Sequence, residues 1–391
     1  MPINKIMEMP YPPAVYVYAS GAGAGIQKKI WETPGCSSIL VGSGFPYDMD
    51  ETANVLGFVP DKFVSEDAAM QLAMAAYMKA CRSDRLAIGI GMTCSVASTR
   101  EHRGDHRIIV SSFSDLECLS FSVTIPKGVG LHQRLVDGLL ADELGLAALS
   151  RAAGFNPESI GYRSKSVAST GGYLGHADTL LEYNPENTTE KAKALILQNP
   201  LFCKDGTRDV SRASEYLDTD HVIFYPGSFN PLHIGHVNGS DMMRMAAAKK
   251  FGELREIVFC TTVNPSHKEP LSPAQMLRRA TQIKNRNFLL TENDPLFVDK
   301  AEKYPGGWFG IGTDALISML DPKWGVSTED VLLKLNWHKI KMFVLGRLVD
   351  GNFMTLSDVM NKIPILKQFE DLFVEVPGRW DISSTELRNK K

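Results

Sequence analysis

Residues 221–236 read His-Val-Ile-Phe-Tyr-Pro-Gly-Ser-Phe-Asn-Pro-Leu-His-Ile-Gly-His, and no other stretch limits the fold as tightly. Residues 221–225 have the β-branched and aromatic content of a short strand. A turn rich in Gly and Pro follows, and residues 237–251 then read as a helix. A strand, a tight loop and a helix N-terminus leave backbone N–H groups at the positive end of the helix dipole, which makes an anion site. His233 and His236, three residues apart, add two imidazoles there. Fixed donors beside a phosphate stabilise charge that develops during transfer, so the stretch points to phosphate chemistry and not only to phosphate binding.

A chain of 391 residues has room for two or three domains, each with its own core. Its 44% hydrophobic and 22% charged content is that of a soluble globular protein. A formal charge of -3 offers no electrostatic footprint for nucleic acid or an anionic membrane surface. The cysteines at 36, 81, 94, 118, 203 and 260 include no C-x-x-C pair, which argues against a zinc site and suggests a reducing compartment. The first residues lack a signal-type apolar stretch, and no run reaches the roughly 20 apolar residues that span a bilayer. A cytoplasmic protein is expected, with no nucleic-acid or membrane partner; a homo-oligomer is compatible with the sequence.

The pattern predicts two α/β domains. In residues 1–158, strands are expected at 15–19, 37–43, 86–91 and 107–113. Helices are expected at 25–32, at 65–81 with Ser65 as N-cap, and at 131–152 up to Gly154. Residues 159–218 collect Ser, Thr, Asn, Gly and Pro and lose apolar periodicity, so they read as a linker with one helix at 188–198. From 219 to 391 a second α/β pattern runs, with a Rossmann-like, mostly parallel sheet expected.

The segment Gly227-Ser228-Phe229-Asn230-Pro231-Leu232-His233-Ile234-Gly235-His236 resembles the signature of the HIGH-type nucleotidylyltransferase superfamily. Later segments fit the same resemblance in order. Asn264-Pro265-Ser266-His267-Lys268-Glu269-Pro270 follows an expected strand at 256–261 and is similar to the Pro-His-Lys loop of pyridine-nucleotide adenylyltransferases. Lys268 then reads as a phosphate contact, against the plain alternative of a solvated loop charge. Gly310-Ile311-Gly312-Thr313-Asp314-Ala315-Leu316 resembles the family's Gly-x-Asp-x-Leu segment. Gly312 would let the backbone approach a nucleotide. Asp314 is either a ribose or metal neighbour or the N-cap of a helix over 315–320. Asp381-Ile382-Ser383-Ser384-Thr385-Glu386-Leu387-Arg388 resembles Ile-Ser-Ser-Thr-x-Ile-Arg, with Leu387 for the second Ile. Ser383 and Ser384 can cap a helix over 385–389, and Arg388 supplies a charged fork.

The resemblance implies in-line nucleotidyl transfer. His233, His236, Lys268 and Arg388 would act on the phosphates, while Gly227, Ser228, Phe229, Gly235, Gly312, Asp314, Ser383 and Ser384 would bind the nucleotide. The implied substrates are ATP and a phosphorylated acceptor, with Mg²⁺ held by phosphates and water because no protein cage is visible. The acceptor most like the family pattern is a pyridine mononucleotide, although residues 296–304 do not match the segment that holds the ring. Trp308, Trp324 or Trp337 could stack on a base. The alternatives are a cytidylyltransferase acting on a phosphorylated alcohol and a nucleotide sensor without turnover.

The N-terminal half is similar to the CinA C-terminal family, which includes nicotinamide mononucleotide deamidases. Ser20, Gly23, Pro34-Gly35-Cys36-Ser37, Tyr47 and Val64-Ser65-Glu66 match its pattern in order, so Ser20, Ser37 and Tyr47 are the candidate site residues here. In that family a Ser and a Lys fifteen residues later form the reactive pair. Ser37 stands at the first position, but Thr52 stands at the second and cannot act as the base. The resemblance therefore implies a domain that keeps the fold and has lost amidohydrolase chemistry. The competing reading has Lys28, Lys29 or a histidine of residues 101–106 in place of the lysine.

Overall fold

The computed structural model of the chain describes residues 2–81, 85–101, 103–155, 165–168, 179–182, 186–205, 207–208, 219–266, 268–292 and 294–389. The chain forms two compact units, one of Met1–Gln198 with Ser272–Arg278 and one of Asn199–Leu271 with Arg279–Lys391. The division after Gln198 falls inside the stretch read as a linker, much of which lies outside the described residues.

The strands of the first unit are β1 (Ala14–Ser20), β2 (Leu40–Gly44), β3 (Ala87–Ser95), β4 (His106–Ser114), β5 (Cys118–Ile125), β6 (Lys165–Ala168), β7 (Thr179–Glu182) and β8 (Glu186–Asn187). β6 and β7 pair with each other, and the others form one sheet in the order β2-β1-β3-β4-β5-β8. β1 lies parallel to β2 and β3, while the pairs from β3 to β8 are antiparallel. One core joins Ile26 and Ile30 of the helix Ala24–Trp31, Leu140 and Leu144 of the helix Gly130–Ala152, and Val15, Ile90 and Val110 of the strands. The alanine-rich helix Glu66–Ala80 lies directly against β3. A Cβ at Gly89 would come within 2.0 Å of the Ala73 carbonyl oxygen, so only glycine permits this approach. Ser65 caps that helix as expected, accepting the N–H of Ala68 at 3.1 Å.

One expected strand begins late. Residues 36–38 are a 3₁₀ turn after Gly35, whose φ is +88°, and β2 starts at Leu40. The hydrogen bond from Ser38 N–H to the Gly35 carbonyl takes a group that a strand from residue 37 would have left for the sheet.

The strands of the second unit are β9 (Leu201–Phe202), β10 (Val222–Pro226), β11 (Glu256–Thr262), β12 (Asn287–Thr291), β13 (Trp308–Gly312), β14 (Lys341–Leu345), β15 (Arg347–Val349), β16 (Asn352–Met354) and β17 (Phe373–Val376). The main sheet runs β17-β14-β13-β10-β11-β12-β9, parallel except at β9; β15 and β16 form a separate ribbon. Val222, Ile223, Phe224 and Tyr225 of β10 are all buried, as in a parallel strand covered on both faces. The chain leaves β10 for β11 and β12 on one side, then returns to β13 on the other. The winding therefore reverses between β10 and β13, and the crevice at their C-terminal ends is where an open α/β sheet binds ligands.

Candidate active site

The helix after β10 spans Ile234–Phe251 and ends at Gly252, in the left-handed region at φ +75°. It starts three residues earlier than the pattern predicts, at Ile234 instead of 237. His233 is thereby the N-cap, and His236 is the third helical residue, one turn on and on the same face. Their rings stack with centroids 3.7 Å apart and planes at 27°. The His233 N–H donates to His236 Nδ1 at 3.3 Å. A neutral imidazole that accepts at Nδ1 has its proton on Nε2, so His236 offers an Nε2–H donor.

Both imidazoles are held neutral. Burial lowers His233 to about 4, helped by the Arg347 cation and opposed by Glu386. Burial lowers His236 further, to about 3, with His233 and Arg347 adding to it. His233 Nδ1 is buried at the head of the helix and makes no full hydrogen bond among the described residues.

The loop that leads to the histidines is tightly held. Phe229 adopts φ +44°, a conformation few non-glycine residues take. Its buried ring packs edge-on against Tyr225, Phe259 and His236, which offsets that strain. Arg279 Nε donates to the Ser228 carbonyl at 2.9 Å. Gln282 accepts the Leu232 N–H at 2.8 Å and donates to the Phe229 carbonyl at 3.3 Å. Gly227 continues the sheet, donating to the Cys260 carbonyl at 2.9 Å. Gly235 is buried beside His233, and a Cβ there would meet that ring and Ile382 at 3.1 Å.

The C-terminal segment closes over the same loop. Ser383 and Glu386 form a capping box: Ser383 Oγ accepts the Glu386 N–H at 3.1 Å, and the Glu386 carboxylate accepts the Ser383 N–H at 3.3 Å. The helix is Ser384–Asn389, so Ser383 is the cap and Ser384 is its first residue. Ser384 Oγ donates to the Pro231 carbonyl at 2.8 Å, and Arg388 donates to the Asn230 carbonyl and to Thr385 Oγ1.

A cleft of about 400 Å³ brings Gly227, Phe229, His233, His236, Gly312, Asp314, Ser383 and Ser384 together. Lys268, Ser228, Gly235 and Arg388 do not line it; Lys268 is exposed, and His267 lies outside the described residues. Asp314 is not the N-cap of its helix. That helix is Thr313–Met319 with Gly312 at the cap, which leaves Asp314 in the first turn facing the cleft. Residues that the sequence reading missed also line the cleft, notably Tyr225, Arg347 and Trp380. Arg347 follows the apolar run of β14 and Gly346, a position at a strand's C-terminal end that could have flagged it. Of the tryptophans proposed for stacking, Trp308 is buried under Arg255 and Trp337 is 82% exposed, while Trp324 lines a smaller cavity.

In the first unit the candidates do not form one site. Ser20 ends β1 and Tyr47 follows β2, but Ser37 precedes β2. Because β1 and β2 are parallel, with Val15 opposite Leu40, Ser37 lies at the opposite end of the sheet from Ser20. Thr52 is buried, and its hydroxyl is bonded to the Pro46 and Asp48 carbonyls at 3.0 Å. Lys28 and Lys29 pair with Glu32 and Glu143, and buried His106 lies 3.9 Å from Asp137; His102 lies outside the described residues.

A parallel sheet with a histidine pair and a Gly-rich turn at its switch point is the arrangement of a nucleotidyltransferase. Comparison with known proteins agrees: residues 224–390 match the Cytidylyltransferase-like family, so the C-terminal half is a domain of that kind. A relative named probable nicotinate-nucleotide adenylyltransferase, from Caldicellulosiruptor saccharolyticus, is 26% identical over 183 residues, 43% of this chain and 84% of the relative. The N-terminal region has CinA structural neighbours. A CinA superfamily protein from Escherichia coli matches at 13% identity and TM-score 0.29, over 37% of this chain and 83% of its own. Competence/damage inducible protein CihA from Agrobacterium tumefaciens matches at 16% identity and TM-score 0.27, over 39% and 90%. Among the described residues no helix is long and apolar enough to cross a membrane.

Proposed function

We propose that the C-terminal unit transfers AMP from ATP to the phosphate of a pyridine mononucleotide and releases pyrophosphate. The observation behind this reading is the stacked His233–His236 pair at the switch point, in one cleft with Arg347. An acceptor phosphate oxygen attacks the α-phosphorus, and the bond from that phosphorus to the bridging oxygen of the leaving pyrophosphate breaks. The nucleophile is already an anion, so neutral histidines suffice, and His236 Nε2–H donates to the transferring group. Arg347, which lines the cleft, counters charge on the departing phosphates; Lys268 and Arg388 lie outside the lining, on the flanking loop and helix, and would add to it only by reaching in.

Among the described residues there is no cluster of three or more metal-ligand side chains. Mg²⁺ would enter with the triphosphate, and Asp314, which lines the cleft together with Glu386, would be the carboxylate we assign to it. The cysteine spacing, with no C-x-x-C pair, is our reason for proposing a reducing compartment such as the cytosol. For the N-terminal unit we propose a CinA-type fold without amidohydrolase activity, because Thr52 is bonded internally and Ser37 stands apart from Ser20 and Tyr47.

The test is pyrophosphate release by the full-length protein. ATP with nicotinamide or nicotinate mononucleotide should give turnover, and His236→Ala should lower it by about 10²-fold, the scale of losing one fixed donor. Turnover only with CTP and a phosphorylated alcohol would place the enzyme with the cytidylyltransferases. Nucleotide binding without any turnover would make it a sensor.

A further inference from the structure

The loop before the histidine pair is fastened by side chains from Gly227 to Leu232. Thr261 Oγ1 donates to the Gly227 carbonyl at 2.7 Å, Arg279 Nε to the Ser228 carbonyl at 2.9 Å, and Gln282 Nε2 to the Phe229 carbonyl at 3.3 Å. Arg388 and Ser384 donate to the next two carbonyls, those of Asn230 and Pro231. Five successive carbonyls thus accept side-chain donors, and the Leu232 N–H that follows is accepted by Gln282 Oε1 at 2.8 Å.

Gln282 differs from the other fasteners in what it bridges. Phe229 and Leu232 are the first and fourth residues of a turn, and in an ordinary β-turn the first carbonyl accepts the fourth N–H directly. Here the Gln282 amide stands between them, with its nitrogen on the carbonyl and its oxygen on the N–H. Gln282 ends the helix Pro273–Gln282, and Arg279 stands three residues before it on the same face. Neither lines the cleft. The bridge opposes relaxation of Phe229, which sits at φ +44°, and it holds the residue just before His233. The direction in which the chain enters His233 sets its N–H, and the bond from that N–H to His236 Nδ1 selects the tautomer of His236.

We propose that Gln282 is a positioning residue for the transfer step: its amide holds the turn of residues 229–232 open, and the open turn fixes where His233 and His236 present their ring nitrogens. The proposal rests on the reading of the two histidines as the groups that grip the transferring phosphate. Gln282 is uncharged and outside the cleft, so its loss takes no contact from bound ATP or acceptor. Without the amide, the Phe229 carbonyl and the Leu232 N–H can bond each other, which moves the chain that enters His233. A catalytic group misplaced by about 1 Å can lose on the order of 10²-fold in rate, and the loss falls on kcat because orientation, not affinity, has changed.

The experiment compares the full-length protein with Gln282→Met, which keeps the side-chain length and loses both hydrogen bonds, and with Gln282→Glu, which keeps only the acceptor for the Leu232 N–H. The readouts are the ¹⁵N shifts of the His236 ring without ligand, and pyrophosphate release with ATP, Mg²⁺ and either mononucleotide, both well below the melting temperature of each variant. The wild type should show one His236 tautomer, with its proton on Nε2. Gln282→Met should show a mixture of tautomers and a kcat lower by about tenfold or more, with both KM values within about threefold. Gln282→Glu should lie between, and it carries the test if Gln282→Met does not fold. A folded variant with the wild-type tautomer or the wild-type kcat overturns the proposal, as does a loss that appears mainly in KM. Release by the wild type with neither mononucleotide removes the reading of the acceptor, and the ring shifts alone then decide whether Gln282 sets the histidine pair.

Discussion

His236 Nδ1 accepts the backbone N–H of His233 while the two rings stack 3.7 Å apart, so one hydrogen bond sets both the tautomer of the second histidine and the start of the helix. The pair is a rigid, neutral donor set placed before any phosphate arrives. Burial and the Arg347 cation keep it neutral, and that has a consequence for pH.

In the unfolded chain both histidines titrate near about 6.5. In the folded protein they are lowered to about 4 and about 3. Between those values and about 6.5 the unfolded state binds more protons, so stability falls as pH drops through that window and is level above about pH 7. Melting temperatures from pH 7.5 to 4.5 should show this fall, and a His233→Asn/His236→Asn double variant should flatten it. NMR titration of the ring Cε1–H signals should show no midpoint for either residue between pH 5.5 and 8. Two midpoints near 6.5 would contradict the buried, neutral pair.

Arg347 has one local signal, its place after the apolar run of β14 and Gly346, but it lies in no recognised motif. Its place comes from β14 lying beside β13, a pairing between segments roughly thirty residues apart. Its N–H donates to Thr313 Oγ1 at 3.0 Å, and its guanidinium reaches the Tyr225 hydroxyl at 3.5 Å. Arg347→Ala should raise the titration midpoints of both histidines, since a nearby cation is lost. It should also lower kcat/KM for ATP by about 10²-fold, as expected when a fixed charged donor to a phosphate is removed. Unchanged midpoints in a folded variant would break the electrostatic link between Arg347 and the pair.

What was legible in the sequence was local. The strand, loop and helix around His233, and the Ser383–Arg388 cap, are contiguous, so spacing located these elements, while their role at a phosphate site came from the family resemblance. What was not legible depends on long-range pairing. Ser20, Ser37 and Tyr47 appear in order along the chain, yet the parallel register of β1 and β2 sends Ser37 to the other end of the sheet. β8 and β9 have two residues each, too short to give a periodic signal, and so the region around Gln198 read as linker although it holds sheet strands of both units.

The same register yields a prediction for the first unit. Thr52 donates its hydroxyl to backbone carbonyls and has no basic group to offer, and Ser37 is exposed on a 3₁₀ turn. The full-length protein should therefore release no ammonia from nicotinamide mononucleotide in the absence of ATP. A coupled ammonia assay is sufficient. Release that disappears in Ser37→Ala would show a reactive serine served by a base from elsewhere.

Arg388 provides the last test, because its position separates the two substrates. It lies on the short C-terminal helix, donates to the Asn230 carbonyl beside the histidine loop, and is braced by Thr385. Ser384 fastens the same helix to the Pro231 carbonyl at 2.8 Å. The helix therefore sits on the loop side of the cleft, where Ser383 and Thr385 line it. Removing the guanidinium should loosen the loop and take a cation from the triphosphate side, with little effect at the acceptor. Arg388→Ala is expected to raise the KM for ATP by about tenfold or more, the scale of one charged hydrogen bond, while the KM for the mononucleotide moves by less than about threefold. Steady-state kinetics with each substrate varied in turn decides the matter. An equal rise in both KM values would mean that Arg388 serves the fold of the loop as a whole and does not distinguish the leaving phosphates from the acceptor.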